Sequence, residues 1–456
     1  MVKPLYVLFI DAEVQNRVGP QEYGVYFALF NFCFLFQIVL DMGIQNYNSK
    51  TISQDRAQVA EHFATVLGAK LMLILGFVVA VLIFGVLVGY PAHYFPILLG
   101  VGVIMILQSL YVYLRSHFSA IGQFRVETWL SALDKVLMLF VLGYFIYIQN
   151  RISIPRFILG QALALGLAVG IALVLLGNQF RLRVELSIEK TRKLIKQSFP
   201  YAVVFILMTL YTRMDSVMLE RLLDDKGLAT GIYANGYRLL DAVNVLGYLF
   251  AVLLLPMFAK LLGDRADVTL LTKTATGILL TLATTVTLLC WVYAGDIMGF
   301  VYDEVSLDSI QVFRLLMVSF WFMSMSYIYG SLITASGDLR TFNLIFLIGI
   351  IINWILNLWL IPSQGAVGAA LTTLITQTYV FCGQLFLAIR RFKLRFGTTY
   401  ILKSLIFMLL SASIVYLISN NVALLWIFEA FISGICILVI SFLLGFIRLS
   451  LVKGLD

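Results

Sequence analysis

Charged residues are scarce in this 456-residue chain. They make up 12% of the sequence, whereas hydrophobic residues make up 61%, and soluble domains average about 25% charged residues. The mean hydropathy is +0.97. A chain with so few charged groups cannot cover a surface that faces water, so we predict an integral membrane protein. The net charge of +8 is explained better by the membrane topology described below than by nucleic acid binding, so we exclude nucleic acid as a partner.

Thiols, metal ligands and phosphate-binding loops are also scarce. The four cysteines lie isolated in apolar segments, which predicts packing roles and no disulfides. None of the three histidines stands at metal-ligand spacing from another ligand type. A glycine-rich phosphate loop and a nucleophile–base pair are both lacking. We therefore predict a protein that is not an enzyme and that holds no metal or cofactor.

The abundant feature is the apolar stretch of about 20 residues, the length that crosses a bilayer. Thirteen such stretches run from 25–46 to 424–447. Residues 1–15 are shorter and more polar, and we interpret them as the outer part of a further helix whose beginning is missing. Polar residues in this piece also argue against a signal peptide. The predicted fold is an all-α integral membrane protein with about fourteen transmembrane helices.

Basic residues alternate between the two sides of these spans. One set of loops is rich in lysine and arginine, and it includes Lys50, Arg56, Arg181, Arg183, Lys190, Lys196, Lys260, Arg340 and Lys393. The opposite set carries only Arg17, Arg151, Arg156, Arg221 and Lys226. The positive-inside rule makes the first set cytoplasmic. Contact with anionic lipid headgroups is a second role open to the clusters at 181–196 and 390–403.

Two segments of the chain repeat each other. Residues 116–125 and 331–340 share Ser, Ala, Gly and Arg at the same spacing, 215 positions apart. Asp11 and Arg17 are likewise matched by Asp215 and Arg221. We predict two six-helix lobes related by an axis along the membrane normal, with the substrate path between them. The predicted limits are 1–177 for the first lobe, 178–198 for a cytoplasmic linker, 199–389 for the second lobe and 401–447 for an added helix pair.

The stretch 352–370 contains Asn353, Asn357, Pro362, Gly365 and Gly368. The two asparagines share a helix face because they are four residues apart. Buried amides of this kind join helices or line a cavity, and helix contact is the more common role. We expect Pro362 to end the helix and the two glycines to allow a tight turn.

This stretch resembles a motif of the polysaccharide flippase family, as do residues 17–26 and 41–44. That family belongs to a transporter superfamily with drug antiporters and the lipid II flippase. The resemblance implies a flippase that moves an undecaprenyl-diphosphate-linked oligosaccharide across the bacterial cytoplasmic membrane by alternating access, for O-antigen or other surface polysaccharide. It implies a monomer in contact with membrane lipids, and it implies glycosyltransferases and a polymerase of the same pathway as partners. Coupling to a sodium or proton gradient stays open.

Ionisable side chains inside membrane spans are costly and usually functional. Arg213 and Arg238 fall at one level, each about 10 Å below the outer boundary. The resemblance places Arg238 at a cavity arginine, where its planar fork suits a diphosphate. We name Arg238, Arg213 and Lys135 as substrate-binding candidates. The competing interpretation pairs Arg238 with Asp241, and Arg213 with Asp11 or Asp215.

The three aspartates are gating or ion-coupling candidates. Asp11 and Asp215 lie in matched contexts near the outer mouth, and Asp241 lies three residues after Arg238. Lys135 follows Asp134 directly, and we expect the two to need separate partners because adjacent residues diverge on a helix. Lys70 lies near an inner helix end, where we expect it to extend to the water.

Two other function classes compete with the flippase. A drug or cation antiporter of the same superfamily would favour a cavity dominated by carboxylates, whereas the candidates here include arginines, which repel cationic drugs. A membrane polysaccharide polymerase or glycosyltransferase would carry a large loop with catalytic acids, and no loop of this chain exceeds about twenty residues.

Overall fold

The computed structural model describes residues 2–44, 59–120, 122–178, 184–337, 339–422 and 424–447. Several residues of the predicted cytoplasmic set, Lys50, Arg56, Arg181 and Arg183, lie outside these ranges, as do residues 179–183 of the predicted linker. Within the described ranges every regular element is helical. This agrees with the all-α prediction.

The α-helices, in chain order, are α1 (Val2–Tyr6), α2 (Ala12–Val18), α3 (Pro20–Leu35), α4 (Val59–Leu87), α5 (Phe95–Ala120), α6 (Phe124–Gly143), α7 (Ile154–Gly177), α8 (Ile188–Leu222), α9 (Leu228–Gly263), α10 (Thr269–Val292), α11 (Ala294–Val301), α12 (Leu307–Ala335), α13 (Leu339–Phe392), α14 (Thr398–Asn421) and α15 (Trp426–Leu444). Short π-helical turns (Val7–Asp11 and Tyr144–Ile148) and 3₁₀ turns (Gln37–Leu40 and Ala92–Tyr94) complete the set in the described ranges.

Local sequence accounts for many helix ends. Pro20 and Pro155 occupy the first turns of α3 and α7, where the missing proline N–H costs no hydrogen bond. Ser187 and Ser306 cap α8 and α12 with hydroxyls that accept backbone N–H groups three residues on. These caps stabilise the helix starts by about 1 kcal/mol each.

Ten helices of the described chain are long and apolar enough to cross a membrane. One of them, α13, holds two helical segments that meet at a kink at Gly365. The predicted spans at 25–46 and 199–221 correspond to α3 and α8, which are not among the ten. Helix α3 has only 16 residues, and α8 carries Arg213 and Asp215 in its apolar part. The multi-pass membrane protein is confirmed, and the total of fourteen stays a prediction.

The chain divides into two compact units, Met1–Gly231 and Ile232–Asp456. In the first unit a cluster of buried apolar side chains joins α4, α5, α6, α7 and α8, and it includes Phe63, Tyr111, Leu130, Ala168 and Leu194. The lobes predicted from the sequence, with limits at 177, 199 and 389, stay a prediction.

The repeated segment has the same local geometry in both units. Helix α5 ends at Ala120 and α12 ends at Ala335, at matching positions of the repeat. In each copy the glycine N–H donates to the carbonyl three residues before it, Gly122 to Ser119 and Gly337 to Thr334. Both glycines have a positive φ, 84° and 77°, which a residue with a Cβ atom rarely adopts. The sequence repeat therefore corresponds to a repeated structural turn.

The predicted orientation leads to a labelling test. In a variant whose four native cysteines are alanine, we expect new cysteines at Lys260 and Lys393 to resist a membrane-impermeant thiol reagent in intact cells. Cysteines at Lys226 and Asp303 should react, because all four side chains are exposed and only the second pair is predicted to face outward. Reaction at Lys260 with protection at Asp303 would reverse the orientation.

Candidate substrate cavity

The first unit contains a partly open cavity of about 460 Å³. This volume is within the range of about 300–1,000 Å³ that is typical of small-molecule sites. Phe30, Phe34, Met105 and Met138 provide much of its apolar wall. The polar groups of the wall come from several helices: Lys3, Gln37, Asp41, Gln108, Ser109, Lys135 and Gln161.

Lys135 is the one substrate-binding candidate from the sequence that lines this cavity. Its Nζ lies 3.3 Å from Asp134 Oδ2, 3.6 Å from Met138 Sδ and 5.3 Å from the centre of the Tyr6 ring. The expectation of separate partners for Lys135 and Asp134 is therefore wrong. Cβ directions do diverge on a helix, but the four-carbon lysine chain is long enough to bring its ammonium back to the neighbouring carboxylate.

Asp41, the residue directly after the Gln37–Leu40 turn, also lines the cavity. Its Oδ1 accepts a hydrogen bond from Lys70 Nζ at 3.1 Å. The same ammonium donates to the Leu40 carbonyl at 3.1 Å and to Ser109 Oγ at 3.1 Å, and it lies over the Tyr113 ring. All three ammonium protons therefore have an acceptor.

Lys70 is only 2% exposed, so the expectation that it extends to the water is wrong. The reason is the chain around Asp41. The α-helix ends at Leu35, and the 3₁₀ turn that follows leaves the Leu40 carbonyl without an intrahelical donor. This carbonyl, a carboxylate and a hydroxyl offer the ammonium a complete set of buried partners.

Two tyrosines of α3 fix polar groups in the first unit. Gln161 Nε2 donates to Tyr26 Oη at 3.0 Å, which sets the direction of the Gln161 amide in the cavity wall. Tyr23 Oη donates to Asp11 Oδ2 at 2.7 Å, and the Asp11 side chain is buried. The structure therefore places the gating candidate Asp11 in a hydrogen bond within the first unit.

Arg213 lies beside the cavity. Its guanidinium carbon is 4.8 Å from the centre of the ring of Phe34, which lines the cavity, and its Nη1 is 3.5 Å from Asn31 Oδ1. Asp215, two residues on, is fully buried. The proposed pairing of Arg213 with Asp11 or Asp215 stays a prediction.

Arg17 and Arg221, the arginines of the matched sequence contexts, both cap a helix end in the first unit. Arg17 Nη1 donates to the Ile146 carbonyl at 2.8 Å, and Arg221 Nη1 donates to the Gly89 carbonyl at 3.1 Å. Each guanidinium also lies over a tyrosine ring, Tyr147 and Tyr90 respectively. Carbonyls at helix ends carry partial negative charge, which accounts for arginine at both positions.

Arg238 and Asp241 lie on α9 in the second unit, and both are half-buried. Their roles in binding and gating stay predictions. Arg314 in the same unit has a structural role: its Nε donates to the Trp291 carbonyl at 3.1 Å, at the end of α10. Its guanidinium carbon also lies 5.8 Å from the centre of the Trp291 ring.

Asn353 and Asn357 are fully buried in the second unit. Asn357 Nδ2 donates to Asn353 Oδ1 at 3.2 Å, so the shared helix face predicted from their spacing is confirmed. In the same unit, Tyr233 Oη lies 3.1 Å from Thr373 Oγ1. Both hydrogen bonds are buried.

The helix is interrupted at Gly365 and not at Pro362, where the sequence predicts its end. Helical hydrogen bonding continues past Pro362, and the dihedral angles leave the helical region at Gly365, with φ 55° and ψ −130°. Ser363 Oγ donates to the Trp359 and Leu360 carbonyls; the proline removes only the N–H that would bind the Leu358 carbonyl. Gly368 then packs closely on the first segment, since a Cβ there would lie 2.3 Å from the Leu360 oxygen.

Several residues of the cavity wall are not among the site residues predicted from the sequence. The prediction rests on ionisable groups inside the predicted spans, so it does not include Gln37, Gln108 or Gln161, nor Lys3, which precedes the first full span. A signal was available in the glutamines, because amides are rare in lipid-facing helices and usually face a helix contact or a cavity.

Comparison with known proteins agrees with this fold. The family model described as "Polysaccharide biosynthesis protein" matches residues 12–262, more than half of the chain. No curated protein matches the sequence. A solved lipid II flippase MurJ in an inward closed conformation has a TM-score of 0.76 and 17% identity, with 96% of each chain covered.

Two other solved structures have lower similarity. An inward-facing multidrug resistance MATE family transporter of the MOP superfamily has a TM-score of 0.63 and 15% identity, with 86% of this chain and 94% of that chain covered. A MOP superfamily transporter from Pyrococcus furiosus has a TM-score of 0.60 and 11% identity, with 86% and 92% covered. These similarities establish the fold of this transporter superfamily. With the match to the family model over most of the first unit and the start of the second, they show that the chain belongs to the polysaccharide biosynthesis protein family.

Proposed function

We propose that this protein is a flippase that moves an undecaprenyl-diphosphate-linked oligosaccharide across the bacterial cytoplasmic membrane by alternating access. The observation that carries the proposal is the composition of the cavity wall. Two ammonium groups, Lys3 and Lys135, face the cavity together with one carboxylate, Asp41, which Lys70 already binds. Such a wall favours an anionic headgroup.

The remaining wall suits sugars. The aromatic rings of Phe30 and Phe34 offer apolar faces, and Gln37, Gln108 and Ser109 offer donors and acceptors. Ligand sites commonly combine an apolar wall with a few placed polar groups in this way. We therefore assign the ammonium groups to the diphosphate and the aromatic and amide groups to the first sugars, while the lipid chain stays in the bilayer. A sodium or proton gradient would supply the driving force.

A drug or cation antiporter is the second candidate. The similarity to multidrug resistance transporters and the carboxylate of Asp41 in the cavity wall favour it. Against it stand the two lysines, which repel an organic cation. Export of a cationic dye, measured in the same cells as surface polysaccharide, separates the two candidates.

Arg238 provides a test in the second unit. We expect Arg238→Ala to lower surface polysaccharide at least tenfold, because a charge-assisted hydrogen bond contributes about 1.5–3 kcal/mol. Arg238→Lys should recover only part, since a point charge replaces a bidentate fork. The measurement is polysaccharide at the cell surface, with the protein level in the membrane determined by immunoblot.

Arg314→Ala is the matched control for Arg238. It removes an arginine of the same unit whose guanidinium binds the Trp291 carbonyl, so we expect export to persist. Normal export by Arg238→Ala would assign Arg238 to a structural contact with Asp241 and would exclude it from substrate binding.

A further inference from the structure

The cytoplasmic start of α8 is anchored to α4 by its preceding segment. Glu185 N–H donates to the Ala64 carbonyl at 3.1 Å, and Thr65 Oγ1 donates to Glu185 Oε2 at 2.9 Å. Lys190 Nζ lies 2.7 Å from Glu185 Oε1. The Lys190 ammonium, and next the Thr65 hydroxyl, hold the pKa of the Glu185 carboxyl below its usual value. A Cβ at Gly68 would lie 2.0 Å from the Glu185 oxygen, so glycine permits this close approach.

The first three turns of α8 contact two other segments of the first unit. Thr191 contacts Met72 of α4, with 3.7 Å between Oγ1 and Sδ. Seven residues later, Ser198 Oγ donates to the Met42 carbonyl at 2.8 Å. Met42 follows Asp41, which binds Lys70. The segment 191–198 therefore packs on α4 at one end and on the segment after α3 at the other.

The segment has one face on the protein and one face exposed. Thr191, Leu194 and Ser198, spaced for one helix face, are buried, whereas Arg192, Lys193 and Lys196 are exposed. The extended residues before the helix alternate in the same way. Val184, Leu186 and Ile188 are 52%, 66% and 79% exposed, while Glu185 between them binds α4.

We propose that residues 184–198 form an interfacial segment that binds anionic phospholipid headgroups of the inner leaflet. Arg192, Lys193 and Lys196 contact the phosphate groups, and Val184, Leu186 and Ile188 insert at the boundary of the acyl chains. A basic face beside exposed apolar side chains at headgroup depth is the pattern that binds anionic membranes. The partner is a bilayer lipid and not a soluble phosphate, because the apolar side chains require a hydrophobic phase.

The binding test uses the full-length purified protein in detergent, titrated with phosphatidylglycerol and, separately, phosphatidylcholine, with bound lipids counted by native mass spectrometry. We expect tighter binding of phosphatidylglycerol. The triple variant Arg192→Gln, Lys193→Gln, Lys196→Gln should weaken it more than tenfold, at about fivefold per cation. The matched control removes three cations from the other basic cluster, Arg390→Gln, Arg391→Gln and Lys393→Gln, and should change binding less than twofold.

Equal loss in the two triple variants would overturn the proposal, since total charge would then determine binding. Displacement of phosphatidylglycerol by soluble glycerol phosphate would also overturn it. A depth measurement stands apart from variant stability: spin labels at Ile188 and Lys196, in nanodiscs, should report the same depth near the headgroups. A helix along the membrane normal would separate them by about 12 Å, and that result would contradict the interfacial course.

Discussion

Replacing Lys135 by glutamine is expected to lower export of the lipid-linked oligosaccharide at least tenfold. Lys135 is the cavity-lining cation from the middle of a predicted span, and its side chain is 25% exposed while that of its partner Asp134 is 6% exposed. The cation is therefore the member of the pair that a ligand can reach. A lost charge-assisted contact corresponds to about 1.5–3 kcal/mol, and the readout is surface polysaccharide at equal protein level.

A second pair of variants separates binding from charge balance. If Lys135 serves only to neutralise Asp134, the double variant Asp134→Asn, Lys135→Gln should restore export. If Lys135 binds the diphosphate, the double variant should stay as inactive as the single one, and Asp134→Asn alone should retain export. Restoration in the double variant would remove Lys135 from the substrate site.

Replacing Lys70 by methionine is expected to destabilise the protein by about 3 kcal/mol. Breaking a buried ion pair by removing one partner leaves the other charge uncompensated, which costs about 3–5 kcal/mol. We choose the lower value because Asp41 is 27% exposed to the cavity. The Leu40 carbonyl and Ser109 also lose a donor. The measurement is the thermal unfolding midpoint in detergent.

The control for Lys70 is the double variant Lys70→Met, Asp41→Leu. It removes both charges, so it should recover part of the stability that the single change loses. A double variant no more stable than Lys70→Met would show that the ammonium acts through the Leu40 carbonyl and Ser109 alone. Lys193→Met is a second control, since this exposed lysine should change stability by less than about 0.5 kcal/mol.

Hydropathy and spacing predicted the features that depend on nearby residues. The apolar runs located the helices, because a lipid-facing helix needs about 20 apolar residues whatever its neighbours. The Ser-Ala-Gly-Arg spacing that repeats in the sequence corresponds to the same turn at Gly122 and Gly337, since a positive φ is a local requirement that glycine meets. The shared face of Asn353 and Asn357 followed from helical periodicity.

The features that the sequence did not reveal depend on distant contacts. The sequence shows that Lys70 lies near a helix end, which predicts a side chain that extends to the water. It does not show that the Leu40 carbonyl and Ser109 lie within hydrogen-bonding distance of its ammonium. Proline is the stronger local signal for a helix end, so the sequence predicts an end at Pro362, yet only Gly365 can adopt the dihedral angles found at the break. Part of the cavity wall is not predicted because it consists of glutamines, which carry no charge. Three glutamines line the cavity.

Movement of a lipid-linked oligosaccharide by this protein can be measured with the purified protein in vesicles. Undecaprenyl-diphosphate-linked oligosaccharide is placed in both leaflets, and an impermeant sugar-modifying enzyme reports which headgroups face outward. We expect inner-leaflet headgroups to become accessible with the wild-type protein and to stay protected with Lys135→Gln or without protein. Sodium and proton gradients are then imposed on the same vesicles. If the gradients drive export of a cationic dye while the headgroups stay protected with the wild-type protein, the protein is an antiporter and not a flippase.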